Sequence, residues 1–132
     1  MSERFVLITG ASRGLGKILS WRFAKEGYGL CLVAQEEKRL NELSIELKQQ
    51  FKNEIQFISC DLGNSMDIDV LINKTRQKLP RLDVLINNAA IQGAIGPLWE
   101  NDLDSWKKVI NVNLNGPMAL CRAFVPWMEA NA

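Results

Sequence analysis

The chain contains 132 residues, which suffices for one compact domain, and its 47% hydrophobic and 23% charged residues are typical of a soluble globular protein. The net charge of +1 excludes strong attraction to nucleic acid or a membrane surface, and the absence of histidine excludes Ser-His-Asp catalysis and most zinc sites, so we expect no metal ion. The sequence has no apolar run near the roughly 20 residues of a membrane span and no signal-peptide core after Met1, so we expect a cytoplasmic protein.

Short apolar runs alternate with helical patterns along the chain. The strand-like runs are residues 5–9, 30–33, 55–58 and 84–86. The helical stretches are residues 15–26, 37–51, 65–79 and 104–129, and the last is interrupted or kinked by Gly116 and Pro117. Apolar strands alternating with helices predict an α/β fold, a doubly wound parallel sheet in strand order 3-2-1-4 that stops before a fifth strand.

Two details of this pattern are predictions of their own. In the first helix, we expect one buried face formed by Leu15, Ile18, Leu19 and Phe23. The three cysteines are widely spaced in apolar sequence, which predicts buried thiols in a reducing compartment; they are Cys31, Cys60 and Cys121.

A glycine-rich segment, residues 9–16, joins the first strand to the first helix. Gly10 permits a tight turn, Gly14 lets a pyrophosphate approach the backbone, and Gly16 lets the helix pack close to the sheet. Free N–H groups and the positive end of the helix then face the phosphates, and Ser12 adds a hydroxyl donor. This context favours dinucleotide binding over a purely structural turn.

Four motifs in this order resemble those of the short-chain dehydrogenase/reductase family. They are Gly10-x-x-x-Gly14-x-Gly16, Asp61-Leu62, the segment 87–90 (Asn-Asn-Ala-Ala), and the segment 111–117 (Asn-Val-Asn-Leu-Asn-Gly-Pro). The resemblance covers nearly the whole chain but only the N-terminal half of the family's Rossmann fold. It implies that residues 1–132 form an NAD(P)-binding domain that is incomplete at its C-terminal end.

The resemblance also assigns roles to individual residues. Asp61 is expected to accept a hydrogen bond from the adenine amino group, although it could instead be only a cap or turn residue. Asn88 is expected to brace the sheet and line the adenosine side, and Ala90 replaces the family's glycine, which narrows the cofactor's approach or demands altered backbone angles. The residues implied to bind the cofactor are Gly10, Ser12, Arg13, Gly14, Leu15, Gly16, Gln35, Asp61, Leu62, Asn88, Ala89 and Ala90.

One catalytic residue is implied by the same resemblance. Asn113 matches the family's active-site asparagine, which interrupts the helix and helps to hold a water in a proton relay. Its side-chain amide can donate and accept hydrogen bonds. Alternatively, Asn113 serves only as a kink residue beside Gly116 and Pro117.

The charges near the second strand favour NADP(H) over NAD(H). That strand runs into Gln35, so no carboxylate is placed to bind ribose hydroxyls and repel a 2′-phosphate. Arg13 resembles the basic residue that contacts this phosphate in NADP-preferring family members; alternatively, it is only a solvated loop charge. Such members often have a second arginine where this chain has Gln35, so one expected positive charge is missing. The carboxylates of Glu36 and Glu37 further weaken the preference for NADP(H).

The family's chemistry requires a Tyr-x-x-x-Lys pair that this sequence lacks. Its single tyrosine, Tyr28, is followed four residues later by Leu32, so we expect that this polypeptide alone does not reduce carbonyls. One interpretation is an NAD(P)(H)-dependent oxidoreductase whose remaining residues are absent from the chain. The alternatives are a non-catalytic dinucleotide-binding module or pseudoenzyme that associates with a partner, and a structural protein that binds no nucleotide.

Self-association is expected at two surfaces. The fourth strand, residues 84–86, has no later strand to pair with its outer edge. The last helical stretch carries apolar residues that either pack against the sheet or, as in family members, contact a second copy; they are Trp106, Val109, Ile110, Leu114, Leu120, Phe124 and Trp127.

Overall fold

The computed structural model describes residues 2–132 as alternating strands and helices. The strands are β1 (Phe5–Thr9), β2 (Gly29–Ala34), β3 (Ile55–Ser59) and β4 (Val84–Ile86). The helices are α1 (Gly14–Lys25), α2 (Glu37–Gln50), α3 (Ser65–Lys78), α4 (Leu103–Ile110) and α5 (Gly116–Ala130). A 3₁₀ turn at Leu98–Glu100 precedes α4, and a π-helical segment at Asn111–Asn115 joins α4 to α5.

The strands form one parallel sheet in the order β3-β2-β1-β4, as predicted. At the centre of β1, Leu7 pairs with Cys31 of β2 on one side and Leu85 of β4 on the other. The other edge of β4 has no partner strand among residues 2–132. The predicted α/β fold and strand order are therefore confirmed.

Both faces of the sheet are covered, which explains why its strands lack polar alternation. Successive side chains of a strand point to opposite faces. Phe5 and Leu7 of β1 belong to a core shared with α3 and α5, whereas Val6 and Ile8 belong to a core shared with α1 and α2. All four side chains are at most 1% exposed.

The buried face of α1 agrees with the prediction only in part. Leu19 and Phe23 are half-buried against the core, whereas Leu15 and Ile18 are 62% and 65% exposed, and the fully buried residues are Gly16, Ser20 and Ala24. The buried residues are small and spaced four apart, so the backbone of α1 lies close to the sheet. The spacing of large apolar residues does not predict such a face, because the residues that pack closest to the sheet are small.

The last helical stretch is interrupted, as expected, but the interruption is a five-residue π-helical segment, Asn111–Asn115, and not a kink at a single position. Pro117 has no N–H group to offer the carbonyl of Asn113 four residues earlier. The backbone widens into the π-helical segment, where Gly116 N–H donates to the Asn111 carbonyl. Leu120 and Phe124 are fully buried against the sheet, whereas Trp106 and Leu114 are 51% and 61% exposed.

The cysteine prediction is correct for two of the three residues. Cys31 and Cys60 are buried, but Cys121 is exposed on α5, where its Sγ lies 3.4 Å from Asn87 Nδ2. Cys121 follows the fully buried Leu120, so the next position on the helix is turned away from the sheet. Within residues 2–132, no helix has the length and apolar character needed to cross a membrane.

Candidate cofactor-binding site

A cleft of about 330 Å³ opens where the strands end at their carboxyl edge. It is bordered by the turn after β1, the end of β2, the residues after β3 and the residues after β4. Crevices at this edge of parallel sheets are the usual ligand sites of open α/β folds. The sequence-predicted residues that line it are Gly10, Ser12, Arg13, Gln35, Asp61, Leu62, Asn88, Ala89 and Ala90.

Three predicted residues are beside the cleft rather than in its wall. Gly14, Leu15 and Gly16 form the first turn of α1. Gly14 has φ +56°, and a Cβ built there would meet no atom within 4 Å. The Gly14 backbone therefore adopts a conformation that L side chains rarely take and faces open space, as required for close approach of a phosphate.

The N-terminus of α1 provides uncommitted hydrogen-bond donors. Arg13 is the N-cap residue, its side chain makes no capping hydrogen bond, and the first turn contains no acidic residue. The first N–H groups of a helix have no partner within the helix, and its dipole favours an anion there. The start of α1 thus suits a negatively charged ligand.

Thr9 and Asn88 fix the glycine turn to the end of β4. The Thr9 hydroxyl donates to the Ile86 carbonyl (3.3 Å) and accepts from the N–H groups of Asn88 and Ala89 (3.0 Å each). In return, Asn88 Nδ2 donates to the Thr9 carbonyl at 3.0 Å and to the Gly10 carbonyl at 3.3 Å. Asn88 therefore both lines the cleft and joins two strand ends, in agreement with its predicted bracing of the sheet.

Asp61 combines a turn with a position in the cleft wall. Its Oδ1 accepts from Gly63 N–H at 2.9 Å, which closes a tight turn, while Oδ2 has no protein donor among residues 2–132. The adjacent Cys60 thiol is buried, and that burial, together with the carboxylates of Asp67 and Asp61, raises the pKa of Cys60 to about 12. Cys60 is thus a neutral part of the wall, and Asp61 keeps one carboxylate oxygen for a ligand.

Charged groups of both signs surround the cleft. Arg13 and Lys108 are its cations, and Glu36 and Asp61 are its carboxylates. Gln35 lies at the end of β2, and its carbonyl accepts a 2.8 Å hydrogen bond from the Ser59 hydroxyl. This part of the wall therefore has one arginine, a neutral amide and one carboxylate.

Ala90 does not adopt a left-handed backbone conformation. No residue other than glycine has positive φ in the part of the chain that the structure describes. The altered conformation considered for Ala90 is therefore not a left-handed one. Its methyl group is exposed at the cleft wall, where it reduces the space open to a ligand.

Asn113 lies in the π-helical segment and holds the loop that follows β4. Its Oδ1 accepts from Ile91 N–H at 2.9 Å, and its Nδ2 donates to the Ile91 carbonyl at 2.8 Å. The side-chain amide is thus bonded on both its donor and its acceptor sides. One N–H and one lone pair of this amide remain for a water, as does the main-chain carbonyl, which lacks the usual helical donor because of Pro117.

Several lining residues were missed by the sequence analysis. Glu36 was considered only as a charge that opposes a phosphate, and Ala34, Cys60, Ile91, Lys108 and Val112 were not assigned to the site. Val112 and Lys108 are one helical turn apart, and this spacing alone could have placed them together on one face. Their proximity to residues after β2 and β3 depends on the packing of the chain. Residues 2–132 contain no group of three potential metal ligands.

The model of the short chain dehydrogenase family matches residues 4–132. The chain belongs to this family. The 3beta-hydroxysteroid dehydrogenase of Mediterraneibacter gnavus is 33% identical over 127 residues, which cover 96% of this chain and 46% of that protein.

Solved structures of family members have the same fold. L-sorbose reductase from Gluconobacter frateurii, complexed with NADPH and L-sorbose, gives a TM-score of 0.92 at 29% identity and covers 99% of this chain and 49% of that chain. A metagenomic short-chain oxidoreductase in complex with NADP gives a TM-score of 0.92 at 32% identity, covering 99% and 59%. The chain spans about half the length of these relatives.

Proposed function

We propose that this chain is the dinucleotide-binding part of an NAD(P)(H)-dependent oxidoreductase that interconverts carbonyls and alcohols. The observation that carries the proposal is the start of α1, whose open Gly14 backbone and uncapped N–H groups lie beside a cleft that Asp61 lines. A nicotinamide dinucleotide supplies the hydride in such reactions. Residues 1–132 form its binding domain: the α1 amides hold the diphosphate, Asp61 accepts from the adenine amino group, and Asn88, Ala89 and Ala90 line the adenosine.

The preferred cofactor in this proposal is NADP(H). Arg13 lines the cleft beside Gln35, where a carboxylate would repel a 2′-phosphate. L-sorbose reductase and the metagenomic oxidoreductase were both solved with this form of the cofactor, which supports the same preference here. The proposed role of Asn113 is to hold the loop at Ile91 and to help to hold a water in the proton relay.

Calorimetric titration of the purified chain with NADPH and NADH tests this proposal. We expect both nucleotides to bind, with NADPH bound more tightly. Arg13→Ala should lower the affinity for NADPH about tenfold and leave the affinity for NADH nearly unchanged, because one charge-assisted contact with the 2′-phosphate is lost. An unchanged NADPH/NADH ratio in Arg13→Ala would refute the assignment of Arg13. Failure of both cofactors to bind wild type would refute the function.

A non-catalytic dinucleotide-binding module is the second candidate, favoured by the position of the only tyrosine. Tyr28 immediately precedes β2, at the end of the strand opposite the cleft, and its ring lies under Arg4 at 4.4 Å. This phenol is too remote to act on a ligand in the cleft. Protein-dependent oxidation of NADPH by a ketone with this chain alone would refute the assignment as a non-catalytic module.

The remaining parts of the proposal concern association and location. We propose a cytoplasmic protein that self-associates through the free edge of β4 and through exposed apolar residues of α4, the π-helical segment and α5, which are Trp106, Leu114, Met118 and Val125. Sedimentation velocity over a range of concentrations tests the association. A monomer at every concentration would contradict it.

A further inference from the structure

An ion pair stands at the rim of the cleft, next to the position where a second cation is missing. Arg39 is in the first turn of α2, and its Nε lies 2.8 Å from Glu36 Oε2. Glu36 itself lines the cleft together with Gln35 and Arg13. The Arg39 guanidinium is therefore one side-chain contact away from the cleft wall.

This ion pair is not committed to any other structural task. Glu36 is the N-cap residue of α2, but its side chain makes no capping hydrogen bond. The side chains of Arg39 and Glu36 are 48% and 57% exposed, and exposed ion pairs of this kind contribute little to stability. Separating the two side chains should therefore lower the free energy of unfolding only slightly.

The unused nitrogens of Arg39 suit a phosphate. The contact with Glu36 is made through Nε, and no hydrogen bond from the terminal nitrogens of Arg39 to another residue is found within the described part of the chain. A guanidinium binds phosphate oxygens through two parallel N–H groups, and a phosphate dianion carries more charge than the carboxylate it would replace. Without Arg39, in contrast, Glu36 would place an uncompensated negative charge beside such a phosphate.

We propose that Arg39 is a specificity-determining residue that turns from Glu36 to the 2′-phosphate of NADP(H) and supplies the cation missing at Gln35. Glu36 competes with the phosphate for Arg39 and so limits the discrimination against NAD(H). This inference rests on the proposed function, because it assumes that the adenosine ribose lies between Arg13 and Gln35.

The test compares two nucleotides that differ only in the phosphate concerned, adenosine 2′,5′-bisphosphate and adenosine 5′-monophosphate, by calorimetry at low salt. Arg39→Ala is expected to lower the affinity for the bisphosphate about tenfold and the affinity for the monophosphate less than about twofold. Arg39→Lys should recover part of the lost affinity for the bisphosphate. Glu36→Gln is expected to strengthen binding of the bisphosphate about threefold, because it removes a competitor for Arg39 and a negative charge beside the phosphate. Arg22→Ala is the matched control, because Arg22 is an exposed arginine paired with Glu26 outside the cleft.

The outcomes separate this inference from the function on which it rests. If wild type binds both nucleotides and Arg39→Ala leaves their affinity ratio unchanged, the inference is wrong and the proposed function stands. Equal weakening of both nucleotides would also overturn it. If wild type binds neither nucleotide, the proposed function and the inference both fail.

Discussion

Replacing Gly16 by alanine sets two opposing effects against each other. Gly16 is the third residue of α1, and alanine is favoured over glycine inside a helix by about 1 kcal/mol. A Cβ at this position, however, would lie 2.0 Å from the Gly10 carbonyl oxygen and 2.7 Å from Asn88 Nδ2. The first of these obstacles is backbone, so α1 or the glycine turn must move by roughly 1 Å to reach even the shortest real contacts.

Steric repulsion should outweigh helix propensity. Overpacking costs about 1–3 kcal/mol in ordinary cores, and a backbone obstacle places Gly16→Ala at or beyond the upper end of that range. After subtracting the propensity gain, we expect the free energy of unfolding to fall by about 2 kcal/mol. The displaced turn should also lower the affinity for NADPH by at least about tenfold, since the backbone N–H groups can contact the phosphates only when the turn keeps its position.

Urea unfolding followed by tryptophan fluorescence measures the first effect, and calorimetric titration with NADPH measures the second. Gly116→Ala is the matched control, because Gly116 is also a helical glycine, but its nearest obstacle, the Leu62 carbonyl, would be 3.1 Å from the new Cβ. It should change the unfolding free energy by less than about 1 kcal/mol. Wild-type stability or greater in Gly16→Ala would show that α1 is not packed against the turn as described.

Three further predictions concern the loop after β4 and the cysteines. Asn113→Ala removes both hydrogen bonds to Ile91 and should lower the unfolding free energy by about 1–2 kcal/mol and speed hydrogen exchange at the Ile91 amide; unchanged exchange would contradict this anchoring role. Because Cys121 alone is exposed, Ellman's reagent should titrate one thiol in the folded chain and three in denaturant, and rapid reaction of more than one folded thiol would be inconsistent with the core. Burial raises the pKa of Cys31 to about 12, so the unfolded chain loses this proton first and stability falls from about pH 9 upward, by at most about 1.4 kcal/mol per pH unit. The urea midpoint of wild type should therefore drop more between pH 8 and pH 10 than that of Cys31→Ala, and equal drops would refute this linkage.

The parallel sheet with both faces covered could be predicted from the sequence because β1, β2 and β4 are mainly apolar on both faces, and the strand order follows from the usual arrangement of doubly wound folds. Residues 5–9 and 30–33 leave no polar side for solvent, so helices must cover both faces and the connections must be crossovers. The glycine positions could also be read, because turn geometry depends on local residue type. Gly14 has the positive φ that a phosphate-binding turn uses.

The rest depends on contacts between residues distant in sequence. Leu15 and Ile18 were expected to be buried, but the close approach of α1 is set by Gly16 and its contact with the Gly10 carbonyl. The reciprocal hydrogen bonds of Asn113 with Ile91 join residues 22 positions apart, which no local pattern specifies. For the same reason, no local pattern predicts that the Thr9 hydroxyl joins β1 to the residues after β4.

The first-turn amides of α1 are the groups on which the proposed function depends. A ¹⁵N–¹H NMR titration of the chain with NADPH observes them directly. We predict that the Gly14, Leu15 and Gly16 amide signals shift and saturate at the affinity measured by calorimetry, together with signals of Asp61. Saturable binding of NADPH that leaves these amide signals unmoved would contradict the assignment of the diphosphate to this turn.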